Sequence, residues 1–331
     1  MIGIAVLGCG RIGRVHARNI ATHPRTKLVA CYDPMPNAAA ELAAAHGAKA
    51  AESVDAVMSD PAVGAVLIAS STNTHVDLIT RAVLAGKAVF CEKPIDLDLA
   101  RVDGCWSAIR DKTPLFMIGF NRRFDPSFRA LRERVAAGAI GAVEQVVITS
   151  RDPAPPPPEY IAVSGGLFRD MTIHDFDMAR YLAGDIVEVQ AMGANLIEPG
   201  IRETDDIDTA MIVMRAASGA LVHINNSRRC AYGYDQRIEA FGADGMLQAH
   251  NRHLSTIEHW GTQQTRARDR VQDFFIDRYM GAYLAELDHF AACIQSGAAP
   301  LTGFTEGREA LRLADAAAES ARTGNAVRLA P

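Results

Sequence analysis

A chain of 331 residues with 49% hydrophobic and 22% charged side chains is long enough for two domains and apolar enough to bury a core in each, which excludes a disordered chain. Its 34 Lys and Arg against 39 Asp and Glu give a formal charge of −5, and no basic cluster offers the positive face that a nucleic-acid backbone demands. The longest nearly uncharged stretches fall short of the roughly 20 apolar residues that cross a bilayer, and the N-terminus shows no basic leader, so a cytoplasmic protein is expected.

Apolar runs at 2–7, 28–32, 65–69, 88–91 and 115–118 fit strands buried on both faces, and helical stretches separate them at 14–22, 38–46, 75–84 and 97–109. This alternation predicts a parallel, doubly wound sheet. The rhythm changes after Asn121. A helix over 126–137 leads to an extended run at 143–150 and a Pro-rich segment at 153–158. Runs of β character follow at 186–194, 208–215, 220–226, 234–241 and 246–249, joined by turns such as Ala243-Asp244-Gly245. Tyr283, Leu287, Phe290 and Ile294 then recur at helical spacing, and an Ala-rich helix follows. Residues 1–120 are therefore expected to form an α/β domain. Residues 121–331 are expected to form an α+β domain on a mostly antiparallel open sheet, its C-terminal helix packing back on the first. The six cysteines are far apart, with no C-x-x-C pair, and read as reduced and structural.

Between the first strand and the first helix lies Gly8-Cys9-Gly10-Arg11-Ile12-Gly13, a G-x-G-x-x-G turn in the context that makes it informative. Gly8 allows the tight turn, Gly10 lets the backbone approach a pyrophosphate, and Gly13 lets helix and strand pack closely. Asp33, at the end of the second apolar run, can accept from a ribose 2′-OH and would repel a 2′-phosphate, which favours NAD over NADP in a Rossmann domain.

Glu92-Lys93-Pro94 follows the strand at 88–91, where ligands of such sheets lie, and Lys93 there can hold a substrate hydroxyl. In the second half, Gly165-Gly166 runs into a helix on which Asp170, His174 and Asp177 share one face at spacings of i, i+4 and i+7. A histidine takes a proton near neutral pH, and a carboxylate one turn away can fix its tautomer. The same stripe permits a metal reading, which the lack of a second histidine at helical spacing disfavours, and no metal is expected. His250, His253 and His259 read as surface residues.

These residues resemble the glucose-fructose oxidoreductase and inositol dehydrogenase (Gfo/Idh/MocA) family. The likeness is carried by Gly8 to Gly13 with Arg14-Val15-His16-Ala17, by Ser71-Thr72-Asn73-Thr74-His75, by Glu92-Lys93-Pro94, and by Asp170 to Asp177. Phe120-Asn121-Arg122-Arg123-Phe124-Asp125, Ser150-Arg151-Asp152-Pro153 and residues 164–180 resemble the inositol 2-dehydrogenase branch. The resemblance implies that a ring hydroxyl of myo-inositol is oxidised to the ketone while NAD is reduced, in homotetramers built through the open face of the second sheet. It implies that Lys93 contacts the reacting hydroxyl, His174 removes its proton and Asp170 orients both. It also implies that Asn121, Arg122, Asp152 and Tyr234 line the polyol site. Arg11, Ile12, Ser71, Thr72, Asn73, His75 and Glu92 would complete the cofactor site. Three other readings stand beside this one: oxidation of scyllo- or chiro-inositol or an aldopyranose, a non-catalytic dinucleotide sensor, and a hydrolase that regenerates its NAD within each turnover.

Overall fold

The computed structural model describes residues 1–204 and 206–330. In chain order the first half contains β1 (Ile2–Leu7), α1 (Arg11–Thr22), β2 (Thr26–Tyr32), α2 (Pro36–His46), β3 (Lys49–Ala50), α3 (Val54–Ser59), β4 (Ala65–Ile68), α4 (His75–Leu84), β5 (Ala88–Glu92), α5 (Leu99–Ile109) and β6 (Phe116–Gly119). The chain continues with α6 (Pro126–Ala136), β7 (Val143–Arg151), α7 (Pro158–Ser164), α8 (Ile173–Ala183), β8 (Ile186–Ala194), α9 (Pro199–Arg202), β9 (Thr209–Ala216), β10 (Leu221–Ser227), β11 (Asp235–Gly242) and β12 (Gly245–Ala249). It ends with β13 (Glu258–His259), β14 (Ala267–Arg268), α10 (Phe275–Ser296), α11 (Phe304–Thr323) and β15 (Val327–Arg328). Two compact units result: Met1–Asn121 with Ala282–Leu311, and Arg122–Gly281 with the residues from Arg312 onward.

The first unit is a six-stranded sheet in the order β3-β2-β1-β4-β5-β6, parallel throughout. Its central strands bury Ile4, Val6, Leu67 and Phe90, the residues of the apolar runs. Between β1 and β4 the strand order reverses, which opens a crevice at their carboxyl ends. The two-residue β3 and six-residue α3 are too short to leave a periodic signal in the sequence.

Residues 282–311, placed by sequence in a second domain whose C-terminal helix packs back on the first, cluster with the first unit. The stripe recognised at Tyr283, Leu287 and Phe290 is the cause. Phe290 packs edge-on against Phe90 of β5, with ring centroids 5.5 Å apart, and Tyr283 meets His16 of α1 at 5.5 Å. Thr302 then bonds Ile118 of β6 twice, accepting at its carbonyl (2.9 Å) and donating from its hydroxyl (2.8 Å). Phe304 stacks on Trp106 at 4.8 Å.

The second unit holds a seven-stranded sheet in the order β12-β11-β7-β10-β9-β8-β15. Only the β7–β10 pair is parallel. Val146, Ile148, Val222, Ile224, Ile212 and Met214 are buried on the face covered by α8, while Met192, Met211, Val213, Leu221 and Phe241 on the other face are exposed. Alternation of the two sets along each strand is the period-two signal of a sheet with one open face. Two buried ion pairs brace the helices of this unit: Arg123 grips Asp177 with bonds of 2.7 to 3.1 Å, and Arg278 is bonded to Asp125. All six cysteines are buried and free. Among the described residues no helix is long and apolar enough to cross a membrane.

Candidate active site

In the first unit the residues singled out from sequence follow the carboxyl ends of its strands: Gly8 to Gly13 after β1, Asp33 after β2, Ser71 to Asn73 after β4, Lys93 after β5 and Asn121 after β6. The glycine turn is built as the spacing requires. Gly8 has φ +102°, and a Cβ there would lie 2.5 Å from the backbone of Ala69 and Ser70. A Cβ on Gly13 would lie 1.9 Å from the Gly8 carbonyl, so α1 sits against the turn only because Gly13 has none. A Cβ on Gly10 would meet nothing within 4 Å. That open side, with α1 starting there without a side-chain cap, leaves the first N–H groups of a twelve-residue helix facing out for an anion.

Asp33 is fixed from both sides, accepting from the Cys9 N–H (2.8 Å) and the Met35 N–H (2.9 Å). A carboxylate keeps further lone pairs for a ribose hydroxyl. The glycine turn and this carboxylate therefore fit a dinucleotide with an unphosphorylated ribose. Replacing Asp33 with Ser should lower the kcat/KM preference for NAD over NADP by about tenfold, the worth of one hydrogen bond to a charged group; steady-state kinetics with both cofactors reads this, and an unchanged ratio would leave Asp33 as a turn residue only.

His75 is buried, its ring nitrogens 2.8 Å from the Pro94 carbonyl and 3.0 Å from the Ser70 carbonyl. Burial lowers its pKa, with the two carbonyls opposing it, and the ring sits between the loop after β4 and the loop that carries Lys93. Lys93 precedes a cis Pro94. Glu92 Oε1 lies 2.6 Å from Nε2 of the buried His16, so the segments Arg14-Val15-His16 and Glu92-Lys93-Pro94 meet in one contact.

In the second unit the polar residues gather at one end of the sheet. Residues 168–172 form a π-helical turn that leads into α8. The regular spacing assumed for Asp170, His174 and Asp177 is thereby broken. Thr172 marks the wider turn, its hydroxyl lying 2.7 Å from Asn226 Oδ1 and 3.3 Å from the Leu167 carbonyl. Asp177 is committed to Arg123, which removes it from the expected stripe. Asp170 accepts from the Tyr160 hydroxyl (2.8 Å) and from Arg228 Nη1 (3.3 Å), four residues before His174.

Arg122 is buried and bonded to Asp175, and its Nη2 donates to Ser150 Oγ at 3.1 Å. Burial opposes the charge on Arg122, but the Asp175 carboxylate together with Tyr279 and Tyr234 outweighs it and raises the pKa. Asn226 donates to Asp175 (2.8 Å), and Ser150 to Gln236 (2.9 Å). Tyr234 is buried edge-on to Tyr279, 6.0 Å between centroids, and burial pushes its phenol up. Asn121 is buried with its Oδ1 lacking a protein partner among the described residues, as suits a group that meets a ligand hydroxyl. Tyr160, Asn226, Arg228 and Gln236 were not singled out from sequence, and Ser150 and Asp175 only as parts of the motifs that carry the resemblance; Asn-Asn-Ser-Arg at 225–228, polar in a strand otherwise alternating with apolar residues, was the available signal. Among the described residues no group of three His, Cys, Asp or Glu is placed to hold a metal.

A parallel sheet with this glycine turn, and a second unit presenting a carboxylate and a histidine, define a dinucleotide-dependent oxidoreductase. Residues 2–120 match the profile described as oxidoreductase family, NAD-binding Rossmann fold, and residues 128–248 match the GFO/IDH/MocA C-terminal domain. The chain is 47% identical over 320 residues to the inositol 2-dehydrogenase of Rhizobium meliloti, covering 96% of each. It superposes with a TM-score of 0.97 on a myo-inositol dehydrogenase from Corynebacterium glutamicum, at 50% identity, covering 100% of this chain and 99% of that one. The scyllo-inositol dehydrogenase of Lactobacillus casei, solved with bound NAD(H) and scyllo-inositol, gives 0.92 at 30% identity over 99% of each chain. This chain belongs to the Gfo/Idh/MocA oxidoreductase family.

Proposed function

We propose that the protein oxidises a ring hydroxyl of a cyclic polyol, myo-inositol first among them, to the ketone with NAD. The observation that carries the reading is the Asp170 carboxylate held by Tyr160 and Arg228 four residues before His174, in a chain that matches inositol dehydrogenases from end to end. Gly8, Gly10, Arg11, Ile12, Gly13, Asp33, Ser71, Thr72, Asn73, His75, Glu92 and Lys93 are proposed to hold NAD, which supplies the two-electron oxidant.

The chain's own residues supply the acid–base part. His174 takes the hydroxyl proton, Asp170 orients its imidazole, and the Lys93 ammonium stabilises the charge that develops on the oxygen as the proton leaves. Asn121, Arg122, Asp152 and Tyr234 would read the remaining hydroxyls, and a site built on hydrogen bonds can reject an isomer with one hydroxyl inverted.

Purified protein with NAD and a panel of inositols and hexoses tests this by nicotinamide absorbance, with myo-inositol expected to give the highest kcat/KM. A higher value for scyllo-inositol, favoured by the Lactobacillus casei likeness, would change the isomer. If no polyol gives reduction the substrate reading ends, and product formed without net NAD reduction would point to hydrolysis.

The exposed Met192, Met211, Val213, Leu221 and Phe241 support a homotetramer built through the open face of the second sheet, since apolar patches of this kind mark interfaces. Light scattering should give four times the chain mass, and Val213→Asp should lower it; a monomeric wild type would sink the assembly. Six free, buried cysteines support a cytoplasmic setting.

A further inference from the structure

Arg228, directly after β10, is among the largest fully buried side chains. Nη1 donates to Asp170 Oδ2 at 3.3 Å, and Nη2 lies 3.7 Å from Asp206 Oδ2. A third carboxylate stands beside it. The Asp152 N–H donates to the Ser227 carbonyl at 2.9 Å, extending the parallel β7–β10 ladder by one residue and bringing Asp152 next to Arg228. Nε and Nη2 of Arg228 and Oδ2 of Asp206 have no hydrogen-bond partner among the described residues. One buried cation thus faces three acids, an arrangement in which ionising all three is costly.

We propose that Arg228 is a positioning residue of this dehydrogenase: by dividing one buried charge among three carboxylates, it holds Asp170 in place while facing Asp152 and Asp206 with the same charge. The proposal rests on the polyol reading above for its kinetic consequences, and on the cluster alone for the rest. The groups that face Asp152 are Arg228, Asp170, Arg122, the Asp175 carboxylate from α8, and Tyr234. Burial pushes the Asp152 carboxyl up to about 7, with Asp170 and Asp175 adding to the rise and Arg228 and Arg122 opposing it. On the acid side of that value Asp152 is an O–H donor, and on the alkaline side it only accepts. A ring hydroxyl can answer either form, but must turn its own O–H to do so and gives up another partner. Affinity for the polyol therefore changes through neutral pH.

The carboxyl 13C resonance of Asp152 in the substrate-free protein reads the charge sharing directly. Its midpoint should lie near pH 7 in the wild type, rise by about one unit in Arg228→Gln and fall in Asp206→Asn, which frees the cation for the remaining acids. Kinetics supply the second reading. Arg228→Gln should lower kcat by about tenfold or more with partial recovery in Arg228→Lys, while NAD affinity holds. The KM for the polyol should change across the wild-type midpoint and stay flat with pH in Asp152→Asn. If Arg228→Gln does not fold, Asp206→Asn decides by its midpoint. A wild-type midpoint below pH 5, or one that the substitutions leave in place, overturns the proposal. Midpoints that move as stated uphold the charge sharing even where no polyol is oxidised, and that second result strikes the substrate reading instead.

Discussion

His174→Ala and Lys93→Met should each lower kcat by about 10²-fold or more, and in His174→Ala the Kd for NAD should change little. The proton of the ring hydroxyl must leave as the carbon is oxidised, and without His174 only water can take it. Lys93→Met keeps the length of the side chain and removes the charge that stabilises the developing alkoxide. In His174→Ala NAD affinity should hold because every residue proposed to hold NAD remains. Stopped-flow turnover with NAD binding measured in parallel separates the two effects, and near-normal turnover in either variant would remove that residue from the mechanism. Asp170→Asn is expected to fall between wild type and His174→Ala, since it loses the charge but keeps an acceptor for orientation.

The second large effect is on stability. Asp125 is wholly buried and does two jobs: it caps α6 by accepting from the Ser127 N–H (3.0 Å) and the Phe128 N–H (3.2 Å), and it pairs with the buried Arg278. Asp125→Ala removes the cap and strands a guanidinium in the core. Breaking a buried pair from one side costs about 3–5 kcal/mol and losing a cap about 1 kcal/mol. For a unit of this size the unfolding midpoint should fall by on the order of 10 °C. Asp125→Ala combined with Arg278→Met should recover part of the loss, because the stranded charge is then gone. Calorimetry of both variants checks this. A double variant no more stable than the single would mean that the cap, not the buried charge, dominates.

Much of the first unit was legible because a buried parallel strand needs an unbroken apolar run and a glycine turn needs glycines at fixed spacing. Ile2–Leu7, Gly8, Gly13 and Asp33 carry their structural reasons within a few residues of sequence. The strands of the second sheet were legible for a related reason, since β9 alternates buried Ala210, Ile212 and Met214 with exposed Met211 and Val213. Asp177 shows where local reading fails. Its spacing from His174 suggested a shared polar face, yet Arg123, more than 50 residues away, claims it, and the π-helical turn at 168–172 shifts Asp170 off the regular helical register.

By itself the sequence determined the family, the two kinds of sheet, the dinucleotide turn and the candidate residues Lys93, Asp170 and His174, because each depends on chemistry written within one short segment. The tertiary structure alone decided which residues stand beside them. It returned Tyr283 and Phe290 to the first unit, placed Arg228 among Asp152, Asp170 and Asp206, and tied Arg122 to Asp175 and Ser150. These partners lie from about 20 to about 270 residues apart along the chain, and the electrostatics of a buried charge depend on distance in space, which no local pattern of residues records.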